Sequence, residues 1–183
     1  MLLTWLVTIL VLPSTLADTT LTFGVVKRDL TGDSIPEVLT LSGTGSTLDS
    51  LEVTFRIQSS GKTSYSRTWS LTRASFGRRR LSDAALQARL AEYGREFFAK
   101  SKFMSPKGFL SWLQASARLH IPLIPEVIAR DMTPNDLPRA RATWEAMQGA
   151  AITVFQYSPG GDAIDVIGWS AADARFYNLL ECC

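Results

Sequence analysis

Histidine and cysteine are almost missing from this chain: 183 residues hold one His and two Cys, and the cysteines are the last two residues. Zinc hydrolase sites draw on two or more such side chains, so that chemistry has no support. No Gly-x-Ser-x-Gly turn offers a strained nucleophile, and Ser42-Gly43-Thr44-Gly45-Ser46 lacks the spacing of a phosphate loop. There is also no long hydrophobic run. The apolar stretch Leu2–Leu12 covers eleven residues, where a membrane-spanning helix needs about 20. Net charge is only +2, from 19 basic and 17 acidic side chains, and neither repeats nor low-complexity tracts occur. Fibrous, coiled-coil and disordered classes are thereby excluded.

What is present suits a globular domain: 46% of residues are hydrophobic and 10% aromatic. Length allows one domain. The run Leu2–Leu12 leads into Pro13-Ser14-Thr15-Leu16-Ala17, the shape of a secretory signal peptide with cleavage after Ala17. Its n-region carries no Lys or Arg. The expectation is a signal peptide over residues 1–17 and one domain over 18–183, secreted or periplasmic, with no membrane span after cleavage. In that compartment Cys182 and Cys183 have three fates: a vicinal disulfide, a link between chains that would make an oligomer, or free thiols.

The periodicity predicts an α+β fold. β-Branched and aromatic runs at 21–27, 37–42, 51–58 and 63–72 are separated by turn chemistry, including Ser42–Ser46 read as a flexible turn. Leu51, Val53, Phe55 and Ile57 alternate with Glu52, Thr54, Arg56 and Gln58, and Tyr65, Arg67 and Trp69 share one face of the following strand. This gives an N-terminal antiparallel β-meander over 18–75. A central helical layer over 81–148 follows, with Ser82 capping a first helix and Ser105-Pro106 opening a second. A short helix after Pro125 and another from Pro138 to Met147 complete it. Strands at 151–157, 163–169 and 175–180 form a C-terminal hairpin plus strand over 149–183, expected to share one sheet with the meander.

Charge is uneven along this order. Residues 73–141 hold 13 basic and 6 acidic side chains, whereas 142–183 hold 1 and 5. A basic helical centre attracts polyanions, but no aromatic interleaving or nucleic-acid motif accompanies it, so no nucleic-acid partner is expected. A protein or polymer partner is. His120, in Arg118-Leu119-His120-Ile121-Pro122, falls at a helix end, where a cation suits the helix dipole. One imidazole also suffices as a general base.

One motif carries chemistry. In Asp29-Leu30-Thr31-Gly32-Asp33-Ser34-Ile35-Pro36-Glu37 oxygen-bearing side chains fall at positions 1, 3, 5 and 9. Ca²⁺ takes six to eight oxygens in flexible geometry, and glycine allows the sharp turn such loops need. The alternative is a polar turn in which Asp and Gly serve turn geometry alone. The stretch resembles the calcium loop of FG-GAP/VCBS-type repeats, Asp-x-Asn-Gly-Asp-Gly-x-x-Asp followed by an apolar strand. Asp29, Gly32 and Asp33 match, Glu37 replaces the last Asp, and Val38, Leu39 and Leu41 supply the strand. Thr31 stands where Asn or Asp is usual, and Ser34 replaces the second Gly. The resemblance implies Ca²⁺ as cofactor, with Asp29, Thr31, Asp33 and Glu37 as ligands through their side chains and Ile35 through its carbonyl. It covers about 20 residues and occurs once, so no propeller is inferred.

These features point to an exported, non-catalytic binding or structural protein of the cell envelope or extracellular space, stabilised by calcium. The alternative is a hydrolase of an envelope or extracellular polymer, with loop acids or His120 in its site.

Overall fold

The computed structural model describes residues 19–47, 50–76, 82–116 and 124–182. The segment read as a signal peptide, residues 77–81 between the meander and the helical layer, His120 and Cys183 lie outside them. Four strands follow one another as an antiparallel meander: β1 (Thr19–Arg28), β2 (Glu37–Thr47), β3 (Ser50–Ser59) and β4 (Lys62–Thr72). Ser60 and Gly61, both at positive φ, close the β3–β4 hairpin, the two-residue turn whose twist matches the strands. Along β3 the alternation is real: Leu51, Val53, Phe55 and Ile57 are buried, while Glu52 and Arg56 are exposed.

The expected turn at Ser42–Ser46 is instead part of β2. Its glycines serve packing. A β-carbon on Gly43 would lie 2.6 Å from the Phe23 ring, and one on Gly45 would lie 2.6 Å from the Ser50 carbonyl oxygen. The pairing of β1 with β2 is irregular at Phe23, and the ring crosses the strand over the bare Gly43 backbone.

The middle of the chain is helical, as the period and caps predict. Helix α1 (Asp83–Phe97) starts where the Ser82 hydroxyl accepts the Ala85 amide, and it buries Leu86, Leu90 and Phe97. It comes so close to β1 that a β-carbon on Gly94 would sit 2.3 Å from the Phe23 carbonyl oxygen. Helix α2 (Pro106–Ala115) has Ser105 as its cap and Pro106 in its first turn. Two further helices follow, α3 (Ile124–Arg130) and α4 (Leu137–Gly149), the latter capped by Asp136.

A second antiparallel sheet pairs β5 (Phe103–Met104), β6 (Val154–Tyr157), β7 (Ile164–Ser170) and β8 (Arg175–Cys182) in that order. The expectation that first and last strands share one sheet is therefore corrected. Among the described residues there are two four-stranded sheets, and they face one another. Phe155, Tyr157, Ile167 and Phe176 of the second sheet pack with Leu39, Leu41, Val53 and Phe55 of the first and with α1. Val154, Val166, Tyr177, Leu179 and Leu180 pack on the opposite side, against α2, α3 and α4. A bulge between Val166 and Ile167 in the β7–β8 register lets Leu179 and Leu180 both serve the helical side. The layers run sheet one, sheet two, then α2, α3 and α4, with α1 packed into the inter-sheet core beside β1. Sheet one has a wet face and a dry face, and sheet two is dry on both.

Candidate functional site

The loop Asp29–Glu37 joins β1 to β2, and it is tied down at both ends. The Leu30 side chain is fully buried, and its carbonyl accepts the Thr153 amide at 3.1 Å. A β-carbon on Gly32, which has φ +79°, would lie 2.5 Å from the Ala151 carbonyl oxygen. Only glycine fits there on both counts. The loop thus forms a seam with the link from α4 to β6.

The structure places the five expected ligands as follows. Glu37 is buried, with one carboxylate oxygen accepting the Leu30 amide at 2.7 Å and the other the Thr31 hydroxyl at 3.1 Å. Asp29 accepts the Gly32 amide at 2.7 Å and the Ser34 amide at 2.9 Å. Asp33 accepts the Ile35 amide at 2.8 Å, and the Ile35 side chain is exposed. Glu37 and Thr31 are brought together, whereas Asp29 and Asp33 each turn to nearby amides. Among the described residues, no three His, Cys, Asp or Glu side chains are grouped as a metal site would group them. The donor set still has the hard oxygen chemistry Ca²⁺ takes. Each carboxylate retains lone pairs beyond those its amide uses. A cation would share these oxygens with the loop amides, which lowers affinity.

A second cluster joins residues that the sequence reading does not connect. It sits where β4 meets the second sheet. The Tyr65 and Tyr157 hydroxyls are 2.8 Å apart, and the Tyr65 hydroxyl also donates to Asn178 Oδ1 at 3.2 Å. Arg67 reaches across to Asp165 at 3.8 Å and Glu181 at 3.4 Å, acids that are cross-strand neighbours in β7 and β8. Burial raises the Asp165 carboxyl above the usual aspartate range, with the Arg67 charge opposing. Burial likewise pushes Tyr65 up to about 12 and raises Tyr157 further, so both stay protonated at neutral pH. Among the described residues, Asp165 Oδ2 has no hydrogen-bond partner. The shared face of Tyr65, Arg67 and Trp69 was legible from their spacing. Their partners, 92 residues or more away for the tyrosine contacts, were not.

Other acids also brace the fold. Asp173 accepts from Arg139, Thr143 and Ser170. Burial opposes its ionisation, yet hydrogen bonds from Arg139, Ser170 and Tyr177 outweigh it and hold the carboxyl below the ordinary range. Asp131 accepts the Asn178 amide of edge strand β8 at 3.0 Å, which occupies a donor that a foreign strand would otherwise find. Cys182 is disulfide-bonded, and the chain's other cysteine lies outside the described residues.

A cleft of about 260 Å³ opens between α1, the end of β4 and the turn before β7. Glu92 and Glu96 line it one helical turn apart, beside Arg89 and Lys102, over a floor of Leu71, Phe76 and Phe97. Arg89 pairs with Glu92 at 2.6 Å, and the Tyr93 hydroxyl donates to the Ser158 carbonyl at 2.9 Å. No helix among the described residues is long and apolar enough to cross a membrane. Comparison with protein-family models, with curated proteins and with solved structures finds no match to this chain.

Proposed function

We propose that the chain is an exported, non-catalytic binding or structural protein of the cell envelope or extracellular space, with Ca²⁺ at the Asp29–Glu37 loop as its stabiliser. The observation that carries this reading is the seam. The loop's backbone bonds to Thr153 and packs on Ala151, so whatever orders the loop also clasps the first sheet to the rest of the molecule. Asp29, Thr31, Asp33, Glu37 and the Ile35 carbonyl would hold the cation, which supplies charge neutralisation among three carboxylates. The duties of the other acids support the non-catalytic part: Asp165 and Glu181 face Arg67 across two sheets, and Asp131 and Asp173 fix β8 and the turn before it.

A hydrolase is the second reading, and the pairing of Glu92 with Glu96 in one cleft favours it. Two carboxylates are the minimal apparatus for glycoside hydrolysis. One experiment addresses both. The protein is recovered from the extracytoplasmic fraction, its N-terminus is mapped, and the same material is assayed on envelope polysaccharides and peptidoglycan. The proposal expects a terminus at Asp18 and no turnover. Turnover that vanishes in Glu92→Gln or Glu96→Gln would establish the hydrolase instead, and a full-length cytosolic chain would overturn export.

A further inference from the structure

A second cleft, of about 430 Å³, lies beside the loop, with Asp29 and Thr153 of the seam in its wall. Arg28 at the end of β1 and Lys100 in the 3₁₀ turn before β5 contribute its two cations. Among the described residues neither is in an ion pair. Arg28 is nevertheless held in place. Its guanidinium lies 5.4 Å over the Phe103 ring, and Phe103 stacks on buried Phe155 at 4.6 Å. A positioned guanidinium presents a planar fork of donors and loses little freedom when an oxyanion arrives.

The surroundings add positive charge and donors. Neither the 3₁₀ turn nor the first turn of α2 carries an acidic residue, and Lys102 and Lys107 stand in the same stretch. The Ser105 hydroxyl accepts the Gly108 amide, which leaves its own proton free to donate. The one acid in the wall is Asp29, whose two oxygens already accept amides of Gly32 and Ser34. Phe103 and Met104 give the wall an apolar part, and Thr153 completes it. The volume exceeds what a bare inorganic ion fills and matches that of a small-molecule pocket.

We propose that this cleft binds a phosphate monoester, its dianionic head between Arg28 and Lys100 and its organic body against Phe103 and Met104. Arg28 and Lys100 together outweigh the single Asp29 carboxylate, and the apolar wall rewards a ligand with a body over inorganic phosphate. The cleft shares Asp29 with the calcium loop, but it is tested in metal-free buffer and through Arg28 and Lys100, which are no calcium ligands, so failure of one leaves the other standing.

The experiment titrates the full-length protein with phenyl phosphate at low ionic strength while backbone amide resonances are followed. Inorganic phosphate, phenyl sulfate and benzoate serve as comparison ligands. Saturable shifts at Lys100, Phe103, Ser105 and Thr153 are expected, with phenyl phosphate the tightest of the four. Each of Arg28→Gln and Lys100→Gln weakens it about tenfold or more, the usual effect of losing a charge-assisted contact. Arg28→Lys, which keeps the charge and loses the fork, falls between. Should a variant fail to fold, the ranking and the shift map of the wild type still decide. Shifts scattered over the surface, equal binding of benzoate, phenyl sulfate or inorganic phosphate, or variants that bind like wild type would each overturn the proposal.

Discussion

The two sheets have the same number of strands and the same antiparallel pairing, yet they are used differently. Sheet one keeps polar side chains such as Glu52, Arg56, Thr68 and Ser70 on its outer face, all exposed, and buries only the alternate residues. Every residue of β6 is buried, including Gln156, because sheet two lies between sheet one and the helices. Position in the stack explains the contrast. A sheet with water on one side tolerates substitution on that side, and a sheet packed on both has no such side. The interior between them is dominated by aromatics. Phe55 of sheet one contacts Phe97 of α1, the following Phe98, and Phe155 and Tyr157 of sheet two at centroid distances of 5.1 to 6.2 Å.

The sharpest way to probe that contrast is to change adjacent residues of β3. Phe55→Ala removes the ring at the centre of the inter-sheet layer and should cost about 3–5 kcal/mol. Thr54→Ala, one residue away on the wet face, loses a hydrogen bond to Thr68 at 3.2 Å and should cost about 1 kcal/mol or less. Urea unfolding of the two variants measures both. Equal losses would mean that the two faces of sheet one do not differ in this way.

A smaller effect is expected where charge enters the dry layer. Burial raises the Asp165 carboxyl in the folded state, although Arg67 pulls the other way. A carboxyl whose folded pKa is raised contributes stability at low pH and loses it as pH rises through the folded value. Wild type should therefore lose stability as pH climbs from the ordinary aspartate value near 4 through the raised one. Asp165→Asn cannot ionise, so it should flatten that slope and be more stable than wild type at pH 7, by the order of 1 kcal/mol. Melts of both proteins from pH 3 to 8 check the sign. Arg67, 44% exposed and still facing Glu181, keeps a partner in the variant.

The smallest effect is at the loop. Ser34 has φ +69°, a backbone conformation that strains any side chain. Ser34→Gly relieves this strain and frees the denatured chain slightly, so a net gain of about 0.5–1 kcal/mol is expected from chemical unfolding.

How far sequence reached follows from the range of each cause. The meander, the Ser82 and Ser105 caps and the four helices rest on neighbours within one turn or one hairpin, and their signals were complete in the chain. The glycines of β2 were misread as a turn because their reason, the Phe23 ring over Gly43, belongs to another strand. The single-sheet expectation failed because a strand buried on both faces does not announce which neighbour covers it. Phe103–Met104, two residues long, gives no periodic signal at all. Among site residues, Asp29, Asp33 and Glu37 were visible from spacing, but that they would bond loop amides required coordinates. The Tyr65–Tyr157–Asp165 cluster joins strands far apart in the chain, and no local pattern encodes it.

The proposed function rests on the Asp29–Glu37 loop acting as a calcium-dependent clasp between sheet one and the rest of the molecule. Thermal melting of the full-length wild type in chelator and in about 10 mM Ca²⁺, above the weak end of known loops, with amide exchange read in parallel, tests it most directly. A cation bound only by the folded state raises stability by RT ln(1 + [L]/Kd), about 1.4 kcal/mol at roughly tenfold excess over Kd. The predicted result is a higher Tm in calcium, with slower exchange at Leu30, Gly32 and Thr153, and loss of both responses in Asp29→Ala. Identical melting and exchange in calcium and in chelator would contradict the claim, leaving the loop a turn held by its own amides.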